Sequence, residues 1–201
     1  MRKRDEGPSV IIGSARERVR RACMQLLEEA GYTVAGVYAN AGELLQTAPA
    51  LHPDLALLDE KMEGLDGLTV SESLGGVCPC VVILSPKRLE GMTVAQGEGA
   101  DNRYFVGLHF SRKAILHTMA FALASAEKMR SLERQMEELR QQQQRRRDIN
   151  VAKGILMQEL HIDEQAAHRL LQSQSMASGR SLEALVDAVL AVGTAALKSE
   201  D

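Results

Sequence analysis

Tryptophan is absent from this chain of 201 residues, and phenylalanine and tyrosine each occur only three times. A wide aromatic surface for stacking single-stranded nucleic acid is therefore excluded. Cysteine is also scarce, and an odd number of three in a chain without a secretion signal argues against a disulfide framework. Because Cys78 and Cys80 have no second Cys or His pair near them, we interpret them as small buried residues that flank a turn, not as zinc ligands.

No apolar run approaches the roughly 18 to 20 residues that cross a bilayer. The charged start at residues 1–6 leads only into the short apolar run 10–12, which cannot form the core of a signal peptide. We therefore expect a cytoplasmic protein with no membrane partner. The formal net charge of −3 shows that the protein as a whole is not strongly basic, so any contact with nucleic acid has to come from a local basic patch.

Short β-branched runs alternate with helical stretches up to about residue 118. This order is typical of βαβ units that build a parallel sheet. We therefore predict an α/β domain with five parallel strands. The predicted strands are 10–12, 33–38, 54–59, 80–84 and 104–106, and the predicted helices include 16–30 and a short one at 43–48 that Pro49 closes.

From residue 111 onward proline is absent and glycine is sparse, which indicates one long helix. Its apolar residues recur at spacings typical of the seam of a two-stranded coiled coil, and the seam turns polar at Gln143, Arg146 and Asn150. We predict a parallel homodimer, although one long helix packed on its own domain would show the same pattern. The seam residues are Ile115, Ala122, Met129, Leu132, Met136 and Leu139, of which the last four form the predicted dimer contact.

Beyond the polar stretch at 141–147, the tail shows three short amphipathic segments. Asp163 and Ser181 stand where helix N-caps belong, and Gly179 separates the last two segments. The tail therefore predicts a small three-helix unit. The apolar faces are Ile149, Ala152, Leu156 and Leu160 in the first segment, Ala166, Ala167, Leu170 and Leu171 in the second, and Leu182, Leu185, Val186, Val189 and Leu190 in the third.

Two parts of the chain resemble known families. Residues 54–68, DLALLDEKMEGLDGL, are similar to the phospho-acceptor strand and following loop of response-regulator receiver domains, with Asp59 at the acceptor position. The segments INVAKGILM at 149–157, HIDEQAAHRLL at 161–171 and SMA at 175–177 resemble the ANTAR domain, the RNA-binding three-helix module of bacterial transcription antiterminators. The resemblances imply a flavodoxin-like (βα)5 receiver domain at 9–118, a long coiled-coil linker helix at 112–147 and an ANTAR domain at 146–201.

The receiver resemblance fails at the positions that carry receiver chemistry. Receivers end the first strand with an acidic pair that binds Mg²⁺ together with the acceptor, and the matching positions are Ser14 and Ala15. Since a hard dication needs oxygen ligands and usually carboxylate charge, we expect no Mg²⁺ at Asp59 and no other metal or cofactor. We therefore expect a pseudo-receiver with a vestigial acceptor, and conventional phosphorylation of Asp59 is the alternative.

Three further receiver positions differ in how well they match. The family has a Lys at the end of the fifth strand, where this chain offers Gly107 or Leu108, and neither can pair with a phosphoryl group. Ser85 matches the family's Ser or Thr that senses the phosphoryl group. Lys61, two residues beyond Asp59, either neutralises that carboxylate or is a solvated surface lysine.

Residues 128–153 hold eight basic and four acidic side chains, a local excess of four positive charges. Attraction to polyphosphate needs only such a cluster, although a charge run on a long helix is more often a solvated face. The ANTAR resemblance favours RNA and implies contacts at the first and third ANTAR helices. The predicted RNA-binding residues are Arg145, Arg146, Arg147, Lys153, Gly154, Arg180 and Ser181, and the residues expected in the core include Ala152, Leu156, Leu170 and Met176.

The resemblances imply a transcription antitermination regulator that binds stem-loops of a leader RNA, with the receiver-like domain as its regulatory module. An alternative is a protein-interaction module in which the degenerate receiver docks a sensor protein or kinase. The hypothesis of a DNA-binding regulator is weaker than these two, because no helix dense in Arg, Asn and Gln follows a tight turn. The five histidines fall in no metal-ligand or nucleophile spacing, so we expect no enzymatic activity.

Overall fold

The computed structural model describes residues 7–85, 103–107 and 111–197. The chain divides into two compact units, residues 1–130 and 131–201. The elements are β1 (Ser9–Gly13), α1 (Glu17–Glu29), β2 (Thr33–Tyr38), α2 (Ala41–Leu51), β3 (Leu55–Asp59), α3 (Gly67–Ser73), β4 (Val81–Leu84), β5 (Arg103–Val106), α4 (Arg112–Leu160), α5 (Glu164–Ser178), α6 (Leu182–Val192) and a short 3-10 helix (Gly193–Leu197).

The first unit is built on a five-stranded sheet in the order β2-β1-β3-β4-β5, with every neighbouring pair parallel. Strands β1 and β3 are buried along their whole length, as strands covered on both faces should be. One face packs against Leu27 of α1 and Met119 of α4, and the other against Leu44 of α2 and Val70 of α3. The predicted flavodoxin-like architecture is confirmed.

The sheet topology brings Ser14 and Asp59 to the same edge of the sheet. In a parallel sheet the carboxyl ends of all strands lie at the same edge, which is where such folds place their ligands. Strand β1 pairs directly with β3, with Gly13 opposite Leu58. The loop that starts at Ser14 therefore lies beside Asp59, the last residue of β3.

The expectation that Pro49 closes the second helix is wrong. Helix α2 begins at Ala41, where the side chain of Asn40 accepts hydrogen bonds from two backbone N–H groups, and it contains Pro49. A proline removes one backbone donor from a helix. Because α2 ends only two residues later and passes into His52 in the left-handed conformation, that single lost bond does not stop the helix.

Helix α4 is longer than the sequence suggested. The first amphipathic segment of the tail is not a separate helix but the last turns of α4, which runs without a break for 49 residues. No proline occurs in it, and Gly154 alone does not interrupt a helix that packs on both sides of that position, at Ala152 and Leu156. None of the helices in the described part of the chain is both long and apolar enough to span a membrane.

The second unit packs the end of α4 against α5 and α6. Both predicted caps are present, since the side chains of Asp163 and Ser181 accept hydrogen bonds from backbone N–H groups in the first turns of α5 and α6. Gly179 ends α5 with a φ of +65°. The core residues are Ala152, Leu156, Ala167, Leu171, Leu185, Val186 and Val189.

One residue expected in this core lies outside it. Met176 is 79% exposed. Helix α5 buries Ala167 and Leu171, and each residue advances about 100° around an α-helix, so Met176 lies about 140° away from Leu171. The packing direction of α5 therefore places Met176 in solvent.

Candidate functional site

Asp59 is 1% exposed at the carboxyl end of β3. A carboxylate removed from water is costly unless charged and hydrogen-bonding partners replace the lost hydration. In this protein the loop after β1, residues 14–16, supplies those partners.

Arg16 provides the counter-charge. Its Nε donates to Oδ2 of Asp59 at 2.9 Å, and its Nη2 donates to Oδ1 at 2.8 Å and to Oδ2 at 2.7 Å. Such a two-pronged, charge-assisted contact is among the stronger ion-pair geometries in proteins. Because the Arg16 side chain is 40% exposed, the guanidinium lies on the solvent side of the buried carboxylate.

The loop that carries Arg16 is itself held at several points. The Ser14 hydroxyl donates to Oδ2 of Asp59 at 2.6 Å. Nη1 of Arg20, on α1, donates to the carbonyl oxygens of Ser14 at 2.7 Å and Ala15 at 3.0 Å. The backbone N–H of Ala15 donates to the carbonyl oxygen of Lys61 at 2.8 Å. The ion pair is therefore part of a connected network.

The donors around Asp59 do not fit a Mg²⁺ site. Mg²⁺ demands near-octahedral oxygen ligands and is usually held by one or two carboxylates with waters. Both oxygens of Asp59 are engaged by the Arg16 guanidinium, which also repels a dication, and the neighbouring Glu60 accepts a hydrogen bond from Ser85 at 2.5 Å. In residues 7–85, 103–107 and 111–197, no group of three His, Cys, Asp or Glu side chains could hold a metal ion.

Among the described residues, the other acceptor-site candidates form no side-chain hydrogen bond or ion pair with the Asp59 carboxylate. The Lys61 backbone N–H faces Oδ1 of Asp59 at 3.4 Å, but its side chain is exposed and makes no ion pair with Asp59, as expected of a solvated lysine. Ser85 is fully buried and bonded to Glu60. Gly107 follows β5 without a side chain, and Leu108 lies outside the described residues.

Three exposed arginines, Arg145, Arg146 and Arg147, follow one another on α4 within the second unit. Nη1 of Arg145 pairs with Oε1 of Glu183 on α6 at 2.9 Å. Arg146 and Arg147 form no ion pair with any described residue of the second unit. Two of the three predicted cations are therefore available to a polyanion.

Lys153 is more enclosed than its predicted role suggested. Its side chain is 13% exposed, and its Nζ donates to Oε1 of Glu164, the first residue of α5, at 2.6 Å. The hydrogen bond and the positive charge of Lys153 lower the pKa of the Glu164 carboxyl, and His168 adds to the shift. Lys153 therefore has an internal anion as its partner.

The remaining predicted RNA-binding residues have different surroundings. Gly154 has open space where a side chain would stand. Arg180 lies with Gln174 along a groove of about 790 Å³ between the ends of α5 and α6. The hydroxyl oxygen of Ser181 is engaged as the cap of α6, with the N–H of Ala184 at 3.1 Å.

Comparison with family models accounts for both units. The response regulator receiver domain model matches residues 10–119, more than half of the chain, and the ANTAR domain model matches residues 137–190. The chain belongs to the response regulator receiver family and carries an ANTAR domain. A receiver domain and an ANTAR domain thus occupy the first and second units.

Two distant relatives extend over both domains, and a third covers a smaller share of the chain. The transcriptional regulatory protein PdtaR of Mycobacterium tuberculosis is 22% identical over 183 residues, which cover 90% of this chain and 88% of PdtaR. The response regulator StyR superposes with a TM-score of 0.58 at 20% identity, over 90% of this chain and 97% of StyR. A signal receiver domain from Pseudomonas fluorescens Pf-5 superposes with a TM-score of 0.53 at 17% identity, over 65% of this chain and 97% of that domain.

Sequence reasoning missed Arg16 in the receiver domain and considered Lys61 as the neutralising group. A signal was present, because Arg16 follows directly on Ser14 and Ala15, where a receiver has its acidic pair. A site that loses two negative charges and gains one positive charge can neutralise its remaining carboxylate from within. Proximity along the chain favoured Lys61, while the fold brings Arg16 from 43 residues away.

The residues of the predicted coiled-coil seam fall into two groups. Ile115 and Ala122 pack against the sheet of the receiver domain, so these two seam positions are part of its own core. The side chains at the next four positions are between 41% and 60% exposed. Those exposed residues are Met129, Leu132, Met136 and Leu139.

The cysteines form no reactive site. Cys23, Cys78 and Cys80 are free and buried. Burial raises the pKa of Cys23 and Cys78 to about 11 and that of Cys80 to about 12. Because the thiolate is the reactive form, these thiols are poor nucleophiles at neutral pH.

Proposed function

We propose that this protein binds stem-loops of a leader RNA through its ANTAR domain and stabilises a hairpin that prevents a transcription terminator from forming. The receiver and ANTAR domains, together with the likeness to the transcriptional regulatory protein PdtaR, support a transcriptional regulator. Regulatory domains of these two kinds suggest that the protein is not an enzyme.

The observation that carries this proposal is the exposed cationic stretch just before the core of the ANTAR domain. Arg146 and Arg147 extend from α4 without an ion-pair partner among the described residues of that unit, and Ala152 begins its core five residues later. Attraction to phosphates needs clustered cations, and Arg side chains can also stack on the unpaired bases of loops. The net negative chain thus has a local site for RNA.

A homodimer would strengthen that contact. The exposed seam from Met129 to Leu139 supports a two-stranded coiled coil, which would carry two ANTAR domains. Two linked domains can engage two stem-loops, so that the second contact forms at a high effective concentration. The proposed partners are therefore a second copy of this chain and a leader RNA with paired hairpins.

For the receiver domain, we propose regulation without phosphorylation and without Mg²⁺. The support is the contact between Arg16 and both oxygens of Asp59, together with Ser14 and Ala15 at the positions of the acidic pair. The activity of the protein would then be regulated by dimerisation, by its expression level or by a ligand-sensing partner protein.

Incubation with acetyl phosphate and MgCl₂ is expected to leave the mass of the intact protein unchanged, because Arg16 occupies the acceptor oxygens. Mass spectrometry of the intact protein checks this, with a conventional receiver domain as the positive control. Asp59→Ala is correspondingly expected to leave RNA affinity unchanged. A stoichiometric gain of one phosphoryl group at Asp59 would contradict the proposed regulation.

Lys153→Ala is expected to weaken RNA binding several-fold and to reduce the salt dependence of binding, since one cation near the phosphates is lost. The melting temperature should change little, because the Glu164 partner of Lys153 is 68% exposed and surface salt bridges contribute about 0.2–1 kcal/mol. Lys113→Ala is the matched control. It removes the same charge from the same helix, 40 residues earlier in the chain and outside the ANTAR domain.

The decisive experiment is crosslinking and sequencing of cellular RNA with the wild type, Lys153→Ala and Lys113→Ala side by side. We expect the wild type and Lys113→Ala to recover leader hairpins that Lys153→Ala recovers poorly. Recovery of no leader hairpins by the wild type would contradict the proposed function and favour a role in docking a sensor protein.

A further inference from the structure

A shallow pocket lies between α4 and α5 in the ANTAR domain. It has a volume of about 480 Å³ and is lined by Lys153, Glu164, Gln165, His168 and Arg169. Lys153 and Arg169 are basic side chains, and the imidazole of His168 lies beside them. Apart from the single carboxylate of Glu164, the lining suits an anion.

The carboxylate of Glu164 already takes the place of such an anion. It accepts the hydrogen bond from Nζ of Lys153 at 2.6 Å, and its pKa is lowered by Lys153 and by His168. The two partners differ in exposure, at 13% for the Lys153 side chain and 68% for that of Glu164. The enclosed cation is held in position, whereas the exposed carboxylate can turn away into solvent.

A second cation in this domain also pairs with an acidic residue in the first turn of a helix. Arg145 pairs with Glu183 in the first turn of α6, just as Lys153 pairs with Glu164 in the first turn of α5. Acidic residues in a first turn suit the helix dipole, which explains their position in each helix. The dipole does not explain why each of them pairs with a cation predicted to bind RNA.

We propose that this pocket binds a phosphate of the RNA backbone, and that Glu164 is an internal competitor which the phosphate displaces from Lys153. The inference rests on the proposed RNA-binding function and specifies one subsite within it. A phosphate oxygen accepts hydrogen bonds as a carboxylate does, and it would gain Arg169, which pairs with no described residue of this domain.

The test measures the affinity of full-length variants for a pool of RNA hairpins with randomised loops. Glu164→Gln keeps the size of the side chain and removes its charge, so it is expected to bind several-fold more tightly than the wild type. The salt dependence should change little, because Lys153 contacts one phosphate in both proteins. Asp187→Asn, which removes an exposed charge from α6, is the control and should change neither quantity.

A double variant separates competition at Lys153 from a general electrostatic effect. In the Lys153→Ala background, Glu164→Gln should no longer improve binding, because the competitor has lost the cation for which it competes. An equal gain in both backgrounds, or no gain in the wild-type background, would overturn the inference while leaving RNA binding intact. If the wild type itself binds no hairpin RNA, the proposed function fails, and the inference fails with it.

Discussion

Arg16→Ala is expected to lower the free energy of unfolding of the receiver domain by about 3 kcal/mol, since it leaves the Asp59 carboxylate buried without its counter-charge. Removal of one partner from a buried ion pair costs more than most single substitutions. Thermal and urea unfolding, followed by circular dichroism, measure the change. Arg18→Ala, on the exposed face of α1, is the matched control and should cost less than about 0.5 kcal/mol.

Substitution of the other partner of the ion pair, Asp59, should cost less stability. Asp59→Asn removes the buried charge, and the partly exposed Arg16 can then turn to water, so its cost should be smaller. Combining it with Arg16→Ala should restore most of the stability lost in Arg16→Ala alone. If Arg16→Ala is no more costly than Arg18→Ala, the ion pair does not hold the buried carboxylate, and the argument for regulation without phosphorylation loses its support.

Leu132→Glu combined with Leu139→Glu is expected to convert a homodimer into a monomer at micromolar concentration. Both side chains are exposed on α4 in the isolated chain and would meet the partner helix in a two-stranded seam. Carboxylates at two facing layers would be buried without counter-charges, at a cost of several kcal/mol of association. Analytical ultracentrifugation of the wild type and the double variant measures the change.

The control for dimerisation is Gln141→Glu combined with Gln144→Glu. It adds the same charge at positions of α4 that face away from the seam, and it should remain dimeric. A wild type that sediments as a monomer, or a control that dissociates as readily as the seam variant, would contradict the coiled-coil interpretation. RNA affinity should fall in the monomeric variant, because the two ANTAR domains would then bind independently.

Features that depend on neighbouring residues in the chain were predictable. Asp163 and Ser181 cap their helices through hydrogen bonds to backbone groups three residues away, and a cap needs nothing else. The alternation of β-branched runs with helices was enough for the parallel sheet, since buried strands and crossover helices have distinct apolar patterns. The acceptor position at the end of β3 followed from its motif.

Features that depend on distant parts of the chain required the folded molecule. The neutralisation of Asp59 by Arg16 arises because β1 lies next to β3, and no pattern near Asp59 encodes that adjacency. Ile115 and Ala122 show the same heptad spacing as Leu132, yet both pack against the core of the receiver domain, and only the receiver sheet decides this. Met176 is exposed for a similar reason, because the direction in which α5 packs is set by its neighbours. Periodicity specifies that a face is apolar, but long-range packing selects which apolar residues are covered and which remain open to a partner.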